Sequence, residues 1–393
     1  MVAAGAVVAA LGGLVAGLGV YQLVLAVAAF WYRPPRGAGE PRNRVGVLVP
    51  AHDEEASIAR CVRSLLDQDY PRDLFDVIVI ADNCSDRTAA VAGEAGAEVL
   101  VRDEPDVRGK GRALRWALDQ LLEGTPGFDA FAVVDADSTA GRDFLAALVR
   151  PLEEGAGAAQ AESRLVDDGS GPTVLRAGAF RLVNWVRPAG RAVLGLGCNL
   201  QGNGMLVSAD VLRRRPWDAF SATEDLEYSI GLLLSGMRAR FAGGAIVESP
   251  AAPSREAAVD QQLRWEGGKL HVARTQLPRL LSAAVRKRDP ALLEAAVDLA
   301  VPPLGILAAI AAVGTLVSAL LAALDVLPTW SVAPWALTLV AIPVYVLVGF
   351  RAAHAPASAY RSLLSAPLFV LRKAASLHRF RTFRPDSWVR TKR

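Results

Sequence analysis

The acidic pair Asp135 and Asp137 is the feature of this sequence best suited to holding a metal ion. The two carboxylates stand at i and i+2, directly after the apolar run at residues 131–134. Carboxylates that emerge from a buried strand are costly unless they are paired or bound to a metal. We therefore expect Mg²⁺ or Mn²⁺ at Asp137, with Asp135 supporting the ion or a ribose. For this motif alone, a solvated turn is the alternative.

A second acidic pair, Glu224 and Asp225, follows Thr223 at the predicted start of a helix. Asp225 is our candidate general base, which would take the proton of an acceptor hydroxyl. Thr223 is predicted to cap the helix. The helix start favours the ionised form of Asp225, whereas burial and the neighbouring Glu224 and Glu227 favour protonation, so the sign of its pKa shift stays open. Ordinary first-turn acids are the alternative.

Three further residues share one face of a predicted helix. Gln261, Arg264 and Trp265 stand at i, i+3 and i+4, and this spacing brings helical side chains together. The planar guanidinium of Arg264 suits diphosphate oxygens, and the flat indole of Trp265 suits an acceptor sugar. A core tryptophan beside a snorkelling arginine explains two of these residues but not Gln261, so we favour a functional site.

Alternating strand and helix patterns between residues 45 and 290 must position these side chains. Strands are predicted at residues 45–49, 76–80, 99–101 and 131–134, and helices at 54–67, from Asp86 and at 111–122. This order predicts an α/β domain with a mostly parallel sheet, helices on both faces, and ligands at the carboxyl ends of the strands. Lys110, just before the third helix, is either a cation near a nucleotide or a surface lysine. The Gly-rich motifs of dinucleotide and P-loop enzymes are missing from the sequence.

Three uncharged runs, at residues 2–32, 299–324 and 326–350, predict transmembrane helices. Each is long enough, since a span takes roughly 20 apolar residues. The first run lacks the preceding basic residues of a signal peptide, so we interpret it as an anchor rather than a cleaved leader. The basic residues that follow it predict that the next domain is cytoplasmic; they are Arg33, Arg36, Arg42 and Arg44.

The other two runs predict a helical hairpin, followed by a basic tail at residues 353–393. Pro356 and Pro367 bracket a stretch that is predicted to lie against anionic cytoplasmic lipid as an amphipathic helix. A merely soluble basic tail is the alternative.

Composition agrees with a folded, membrane-bound chain. The 393 residues are 52% hydrophobic and 21% charged, with a mean hydropathy of +0.28, which excludes disordered and collagen-like classes. The net charge of +3 gives no reason to expect a nucleic-acid partner. Three cysteines are too few for a disulfide scaffold and suit a reducing compartment.

In their order along the chain, the motifs resemble the membrane-bound branch of the family-two glycosyltransferases, which includes cellulose, chitin and hyaluronan synthases. The matching segments span about residues 45–270: Pro50 to Glu55, Asp82 in Ala-Asp-Asn-Cys-Ser-Asp, Asp135-Ala136-Asp137, Thr223-Glu224-Asp225 and Gln261-Gln262-Leu263-Arg264-Trp265. Several such motifs in the family's order are far more specific than any one of them. The resemblance implies a GT-A fold, which is Rossmann-like, and the predicted transmembrane helices, one N-terminal and two C-terminal, suit the same branch.

On the donor side, the resemblance implies that Pro50, His52 and Glu54 lie in a nucleotide-binding turn. Asp82 matches the carboxylate that reads the base. The implied donor is a nucleotide-diphosphate sugar, with UDP as the expected nucleotide.

On the acceptor side, Gly202, Asn203 and Gly204 resemble the small-residue loop where the acceptor approaches the backbone. Glycine permits such close contact. A plain tight turn is the alternative.

These inferences predict an inverting, metal-dependent glycosyltransferase of the inner membrane. The predicted organisation is an anchor at 1–33, a cytoplasmic GT-A domain at 45–290, a hairpin at 295–352 and the tail at 353–393. The predicted acceptor is a growing glycan or exopolysaccharide, because the Gln-x-x-Arg-Trp signature resembles that of polymerising members. The alternative is a polyprenyl phosphate or other lipid that receives one sugar. Three spans are few for a polymerase, so partner subunits or self-association fit the first option. A pseudo-enzyme that organises a synthase complex is disfavoured by the intact acids.

Overall fold

The computed structural model of the protein describes residues 2–35, 39–124, 127–252 and 254–376. Arg36 and the tail residues 377–393, on which part of the membrane prediction rests, lie outside the described residues. The chain divides into two compact units. Of the described residues, one unit takes 2–32, 168–194 and 277–376, and the other takes those of 33–167 and 195–276.

The second unit carries the strands, whose burial and composition explain their position. The strands are β1 (Val45–Ala51), β2 (Phe75–Asp82), β3 (Glu98–Arg102), β4 (Ala130–Val133), β5 (Thr139–Ala140), β6 (Ala158–Val166), β7 (Met205–Ser208) and β8 (Arg240–Pro250). Strands β1 and β2 are Val- and Ile-rich and buried along almost their whole length, as is typical of central parallel strands.

The strands form one sheet in the order β3-β2-β1-β4-β7-β6-β8-β5. Strand β1 pairs in parallel with β2 and β4, and the pairs β2–β3 and β6–β8 are also parallel. The pairs β4–β7, β5–β8 and β6–β7 are antiparallel. The predicted α/β class with a mostly parallel sheet is confirmed, and the carboxyl ends of β2, β1 and β4 lie side by side at one edge.

Helices connect and cover the strands and make up most of the other unit. In chain order the helices are α1 (Val2–Ala28), α2 (Ile58–Leu66), α3 (Thr88–Glu94), α4 (Lys110–Leu121), α5 (Phe144–Glu153), α6 (Gly171–Arg181), α7 (Arg187–Val193), α8 (Ala209–Arg214), α9 (Glu224–Leu234), α10 (Arg255–Lys287), α11 (Pro290–Ala300), α12 (Leu304–Ala323), α13 (Ala333–Ala352), α14 (Ala357–Ser362) and α15 (Ala366–Ser376). Helices α2 and α5 share a buried apolar cluster with alternate residues of β1 and β2, and this cluster is the core beneath the sheet.

The starts of α2 and α12 differ from the sequence prediction, each for a local reason. Helix α2 begins at Ile58 rather than at residue 54, because Asp53 has a φ of 53° and residues 54–57 form a turn in which the Ile58 N–H bonds the Glu54 carbonyl at 2.9 Å. Helix α12 begins at Leu304, because Pro302 and Pro303 cannot continue the preceding helix.

Three helical segments are long and apolar enough to cross a membrane: Val2–Trp31, Leu304–Ala323 and Thr329–Ala352. They overlap the three predicted runs. All three belong to the first unit, which therefore contains every candidate span found in the described residues.

Candidate active site

The metal motif and Lys110 meet at the carboxyl edge of the sheet. Asp135 and Asp137 follow the end of β4, and Lys110 is the first residue of α4. Lys110 Nζ lies 2.6 Å from Asp135 Oδ1 and donates to the Gly202 carbonyl oxygen at 2.8 Å. Its side chain is 25% exposed, so the surface-lysine alternative is wrong.

Two opposing effects act on the pKa of Lys110. Burial lowers the pKa of this ammonium group, but the carboxylates of Asp135 and Glu224 outweigh burial and raise it. Lys110 therefore stays charged at neutral pH and contributes a fixed positive charge beside the acidic motif.

The Gly202 loop touches the proposed base. A Cβ atom added at Gly202 would lie 3.0 Å from Asp225 Oδ2 and 3.3 Å from Lys110 Nζ. Gly202 also has a φ of 72°, a left-handed conformation that favours glycine. The structure thus brings Asp135, Lys110, Gly202 and Asp225 into one cluster.

The pKa of Asp225 is raised to about 7, which settles the sign that the sequence left open. Burial is the largest cause, and the negative charge of Glu224 adds to it, while Lys110 opposes the shift. The backbone N–H of Leu226 bonds Asp225 Oδ1 at 2.8 Å and also favours ionisation. A carboxylate with a pKa near neutrality suits the work of a general base.

The predicted side-chain cap at Thr223 is wrong, although α9 does begin at Glu224. No described atom bonds the buried Thr223 hydroxyl oxygen, and the helix start has no side-chain cap. The reason is tertiary packing, since a Cβ at Gly268 of α10 would lie only 2.5 Å from Thr223 Cγ2. The side chain faces α10 instead of its own helix.

This contact orients the face of α10 that carries the Gln-x-x-Arg-Trp motif. Gln261, Arg264, Trp265 and Gly268 stand at i, i+3, i+4 and i+7 of one helix, so they share the face that meets the start of α9. Burial raises the pKa of Glu224, and Arg264 is among the charges that lower it. Gln261 Oε1 is buried and makes no hydrogen bond within the described ranges, and Trp265 is 40% exposed.

Asp82, the predicted base-reading carboxylate, is held by an arginine that the sequence analysis missed. Arg102 Nη1 lies 2.6 Å from Asp82 Oδ1, and both side chains are largely buried. Burial raises the pKa of Asp82, and Arg102 opposes this. Asp82 lies opposite Arg102 because β2 pairs in parallel with β3. The positions of two strands in the sequence do not give the register of their pairing, so this ion pair could not be predicted.

The predicted nucleotide-binding turn lies beside Asp82. His52 Nδ1 donates to the Asp82 carbonyl oxygen at 2.7 Å. The Glu54 carboxylate accepts from the Ser57 hydroxyl at 2.8 Å, and Pro50 pairs with β2 inside β1. The turn is thereby fixed at the same sheet edge as the metal motif, and its contacts with a nucleotide stay a prediction.

Asn203 and Gly204 pack under the metal motif. The Gly204 N–H bonds the Val133 carbonyl oxygen at 2.8 Å, and Asn203 is only 5% exposed. The Asn203 side chain is therefore inside the sheet edge, and Gly202 is the part of the loop next to Asp225.

The residues present fit a hard divalent cation. Asp135 and Asp137 supply carboxylate oxygens, which Mg²⁺ and Mn²⁺ prefer. The Asp135 side chain is 41% exposed, so it can reach a ligand at the surface of the edge, whereas Asp137 is 9% exposed.

Comparison with known proteins identifies the family. Residues 41–268 match the model of a family described as glycosyltransferase like family 2. The chain belongs to this family. The matched region contains every motif discussed above, from Pro50 to Gly268.

The family-two relatives include proteins of named activity. The chain is 28% identical over 243 residues to the probable glycosyltransferase YdaM of Bacillus subtilis, covering 58% of this chain and 56% of that protein. It is 31% identical over 234 residues to a beta-monoglucosyldiacylglycerol synthase of Trichormus variabilis, covering 57% and 48%. The chain thus spans about half the length of the curated relatives it matches.

A solved structure confirms the fold over nearly the whole chain. The mannosyltransferase PcManGT from Pyrobaculum calidifontis, in complex with GDP-Man and Mn²⁺, aligns with a TM-score of 0.52 at 20% identity, covering 94% of this chain and 98% of that one. The predicted GT-A fold is confirmed.

Proposed function

We propose that this protein is an inverting glycosyltransferase that moves a sugar from a nucleotide diphosphate to a hydroxyl group at a membrane. The observation that carries the proposal is the position of Asp225, partly buried beside Gly202 and Lys110 with a pKa of about 7. Family membership supports the reaction class.

In the proposed step, the acceptor hydroxyl oxygen attacks the anomeric carbon while Asp225 takes its proton. The bond from the anomeric carbon to the phosphate oxygen breaks, and the nucleoside diphosphate leaves with the bonding electrons. Because the attack is a single displacement, an α-linked donor gives a β-linked product. A positioned base of this kind contributes about 10²–10⁴-fold in rate.

The second task of the site is to neutralise the negative charge of the leaving diphosphate. Mg²⁺ or Mn²⁺ at Asp137 and Asp135 would supply Lewis-acid neutralisation of the phosphate oxygens. Lys110 holds a positive charge at Asp135, and Arg264, on the face of α10 that meets α9, offers a planar fork for diphosphate oxygens. Asp82 and the turn of Pro50, His52 and Glu54 are proposed to bind the nucleotide, with UDP as the expected one.

We propose a membrane lipid as the acceptor, with one sugar added. Three relatives that are 29–31% identical carry the name beta-monoglucosyldiacylglycerol synthase, and three candidate spans keep this chain at the bilayer. A growing glycan is the second candidate, favoured by the Gln-x-x-Arg-Trp face of α10, with partner subunits or self-association completing a polymer path. We place the protein in the inner membrane with its catalytic unit cytoplasmic, because Arg33, Arg42 and Arg44 follow the first span.

A donor and product assay tests the proposal. The full chain in lipid nanodiscs is incubated with Mn²⁺, diacylglycerol and a panel of radiolabelled UDP- and GDP-sugars. We expect label from one UDP-sugar in a single lipid-soluble product. Label in a polymer would support the glycan acceptor instead. Binding of nucleotide without hydrolysis or transfer of any donor would favour a pseudo-enzyme and contradict the proposal.

A further inference from the structure

Asn203 lies in a buried hydrogen-bond network that reaches both carboxylate residues of the metal motif. Its Oδ1 accepts from the backbone N–H of Asp135 at 3.1 Å. Because that partner is a backbone donor, the orientation of the amide is fixed, with its oxygen towards Asp135 and its nitrogen on the other side. Asn203 is 5% exposed, so solvent does not compete for these bonds.

The nitrogen of the same amide reaches Asp137 through a serine. Asn203 Nδ2 donates to Ser138 Oγ at 2.9 Å and to Ser249 Oγ at 3.0 Å. Ser138 Oγ in turn donates to Asp137 Oδ1 at 3.3 Å, and the two serine oxygens are 2.9 Å apart. If the Ser249 hydroxyl donates to Ser138 Oγ, every polar hydrogen of this network has an acceptor. Buried networks whose donors and acceptors are all paired are rigid.

Gln160 joins this network to the loop beside the base. Gln160 is fully buried, its Nε2 donates to the Asn203 carbonyl oxygen at 2.8 Å, and its Oε1 accepts from the Gln201 N–H at 2.8 Å. Gly202 lies between these two anchored residues, and a Cβ atom added to it would lie 3.0 Å from Asp225 Oδ2.

We propose that Asn203 is a positioning residue for the divalent cation, with Ser138 and Ser249 as its partners. Asn203 orients Asp135 through its backbone and Asp137 through Ser138, and Gln160 fixes the same loop against the base. The proposal rests on the proposed metal-dependent function. It differs from the acceptor role that the family resemblance implies for Asn203, because the side chain faces the metal motif.

Binding of Mn²⁺ alone tests the proposal without relying on turnover. Free Mn²⁺ is followed by electron paramagnetic resonance during titration of the full-length chain in nanodiscs. The variants are Asn203→Ala and Ser138→Ala. The matched control is Ser229→Ala, since Ser229 is a buried serine that accepts from the Leu200 N–H at 3.1 Å and, within the described part of the chain, makes no hydrogen bond to Asp135 or Asp137.

We expect the Mn²⁺ dissociation constant to rise by roughly 10-fold in both variants, as is typical when a group that orients a metal ligand is removed. The control should match the wild type. Transfer by Asn203→Ala should recover towards the wild-type kcat at high Mn²⁺, which a general loss of folded protein would not allow. If Asn203→Ala does not fold, the Mn²⁺ dissociation constants of Ser138→Ala and Ser249→Ala test the proposal instead.

Three results would overturn the proposal. Unchanged Mn²⁺ binding in Ser138→Ala and Asn203→Ala would exclude the positioning role. A raised acceptor KM with unchanged Mn²⁺ binding would show that Asn203 contributes to acceptor binding and not to the metal site. If the wild-type chain binds no Mn²⁺ but still transfers sugar, both the metal dependence and the positioning role of Asn203 are contradicted. The proposed transfer reaction would still stand.

Discussion

At the scale of single residues, the chemistry depends on how the protein sets the charge of Asp225. Helix N-termini ordinarily stabilise carboxylates, yet Asp225 has a pKa of about 7 because burial and Glu224 act in the opposite direction. The base is therefore available above neutrality and increasingly protonated below it.

Glu224→Gln tests this electrostatic coupling. Removal of the Glu224 negative charge should lower the pKa of Asp225, so the base stays ionised to lower pH. The pKa of about 7 at Asp225 predicts an acidic limb of kcat/KM near pH 7 in the wild type, and we expect this limb to move to lower pH in the variant. The pH profile of kcat/KM at saturating metal measures the shift.

Glu227→Gln is the matched control for this change. Glu227 lies in the same first turn, and its carboxylate accepts from the Ser221 N–H at 3.3 Å. Removal of the Glu227 charge should leave the acidic limb of kcat/KM near its wild-type position. An acidic limb that does not move in Glu224→Gln would show that Glu224 does not set the protonation of the base.

At the scale of elements, the loop of residues 201–204 positions the site through its backbone. A comparison of two glycines separates the effect of contact with Asp225 from the effect of backbone strain. Gly202 and Gly195 have φ values of 72° and 71°, but a Cβ at Gly202 would meet Asp225 and Lys110, whereas a Cβ at Gly195 would meet no described atom within 4 Å.

Gly202→Ala should abolish most transfer, while Gly195→Ala should not. Both changes impose a similar left-handed strain of about 1–2 kcal/mol, and the close contacts at Gly202 add to it, so Gly202→Ala should lower the melting temperature at least as much as Gly195→Ala. Initial rates and melting temperatures of the two variants are the measurements. Equal losses of activity in both would mean that strain, and not contact with Asp225, explains the effect.

The elements also show which parts of the site were predictable from sequence. The strand ends that carry Asp82 and Asp135, and the shared face of Gln261, Arg264 and Trp265, follow from local periodicity, and the structure has them on β2, after β4 and on α10. The pairing of Asp82 with Arg102 depends on strand register.

Other parts of the site depend on packing between distant segments. The Asn203 network joins residues separated by more than 45 positions, and the raised pKa of Asp225 depends on burial. The unused cap at Thr223 depends on the approach of Gly268. None of these is encoded in local spacing.

At the scale of the whole molecule, the unit with the candidate spans contains a buried ionic cluster. Arg191 Nη2 lies 2.8 Å from Glu294 Oε2 and Nη1 lies 3.6 Å from Asp298 Oδ2, and Arg187 also pairs with Asp298. Tyr21 of the first span donates to Asp298 at 3.2 Å. The cluster therefore joins α1, α7 and α11 within one unit.

Asp298→Asn should destabilise this unit. Removing one partner of a buried ion pair leaves an uncompensated charge and costs about 3–5 kcal/mol, so the melting temperature in detergent should fall clearly. Glu154→Gln is the control, because Glu154 pairs with Arg240 at 3.0 Å with both side chains about half exposed, and such pairs contribute about 0–1 kcal/mol. Equal melting temperatures for the two variants would contradict a stabilising role for the cluster.

The role of Asp225 is tested by Asp225→Asn, with donor binding and sugar transfer measured on the same preparation. We expect the calorimetric affinity for the UDP-sugar with Mn²⁺ to be retained, while the transfer rate falls by about 10²–10⁴-fold, since only the proton acceptor is lost. Weakened donor affinity with transfer intact would contradict the assignment of Asp225 as the base.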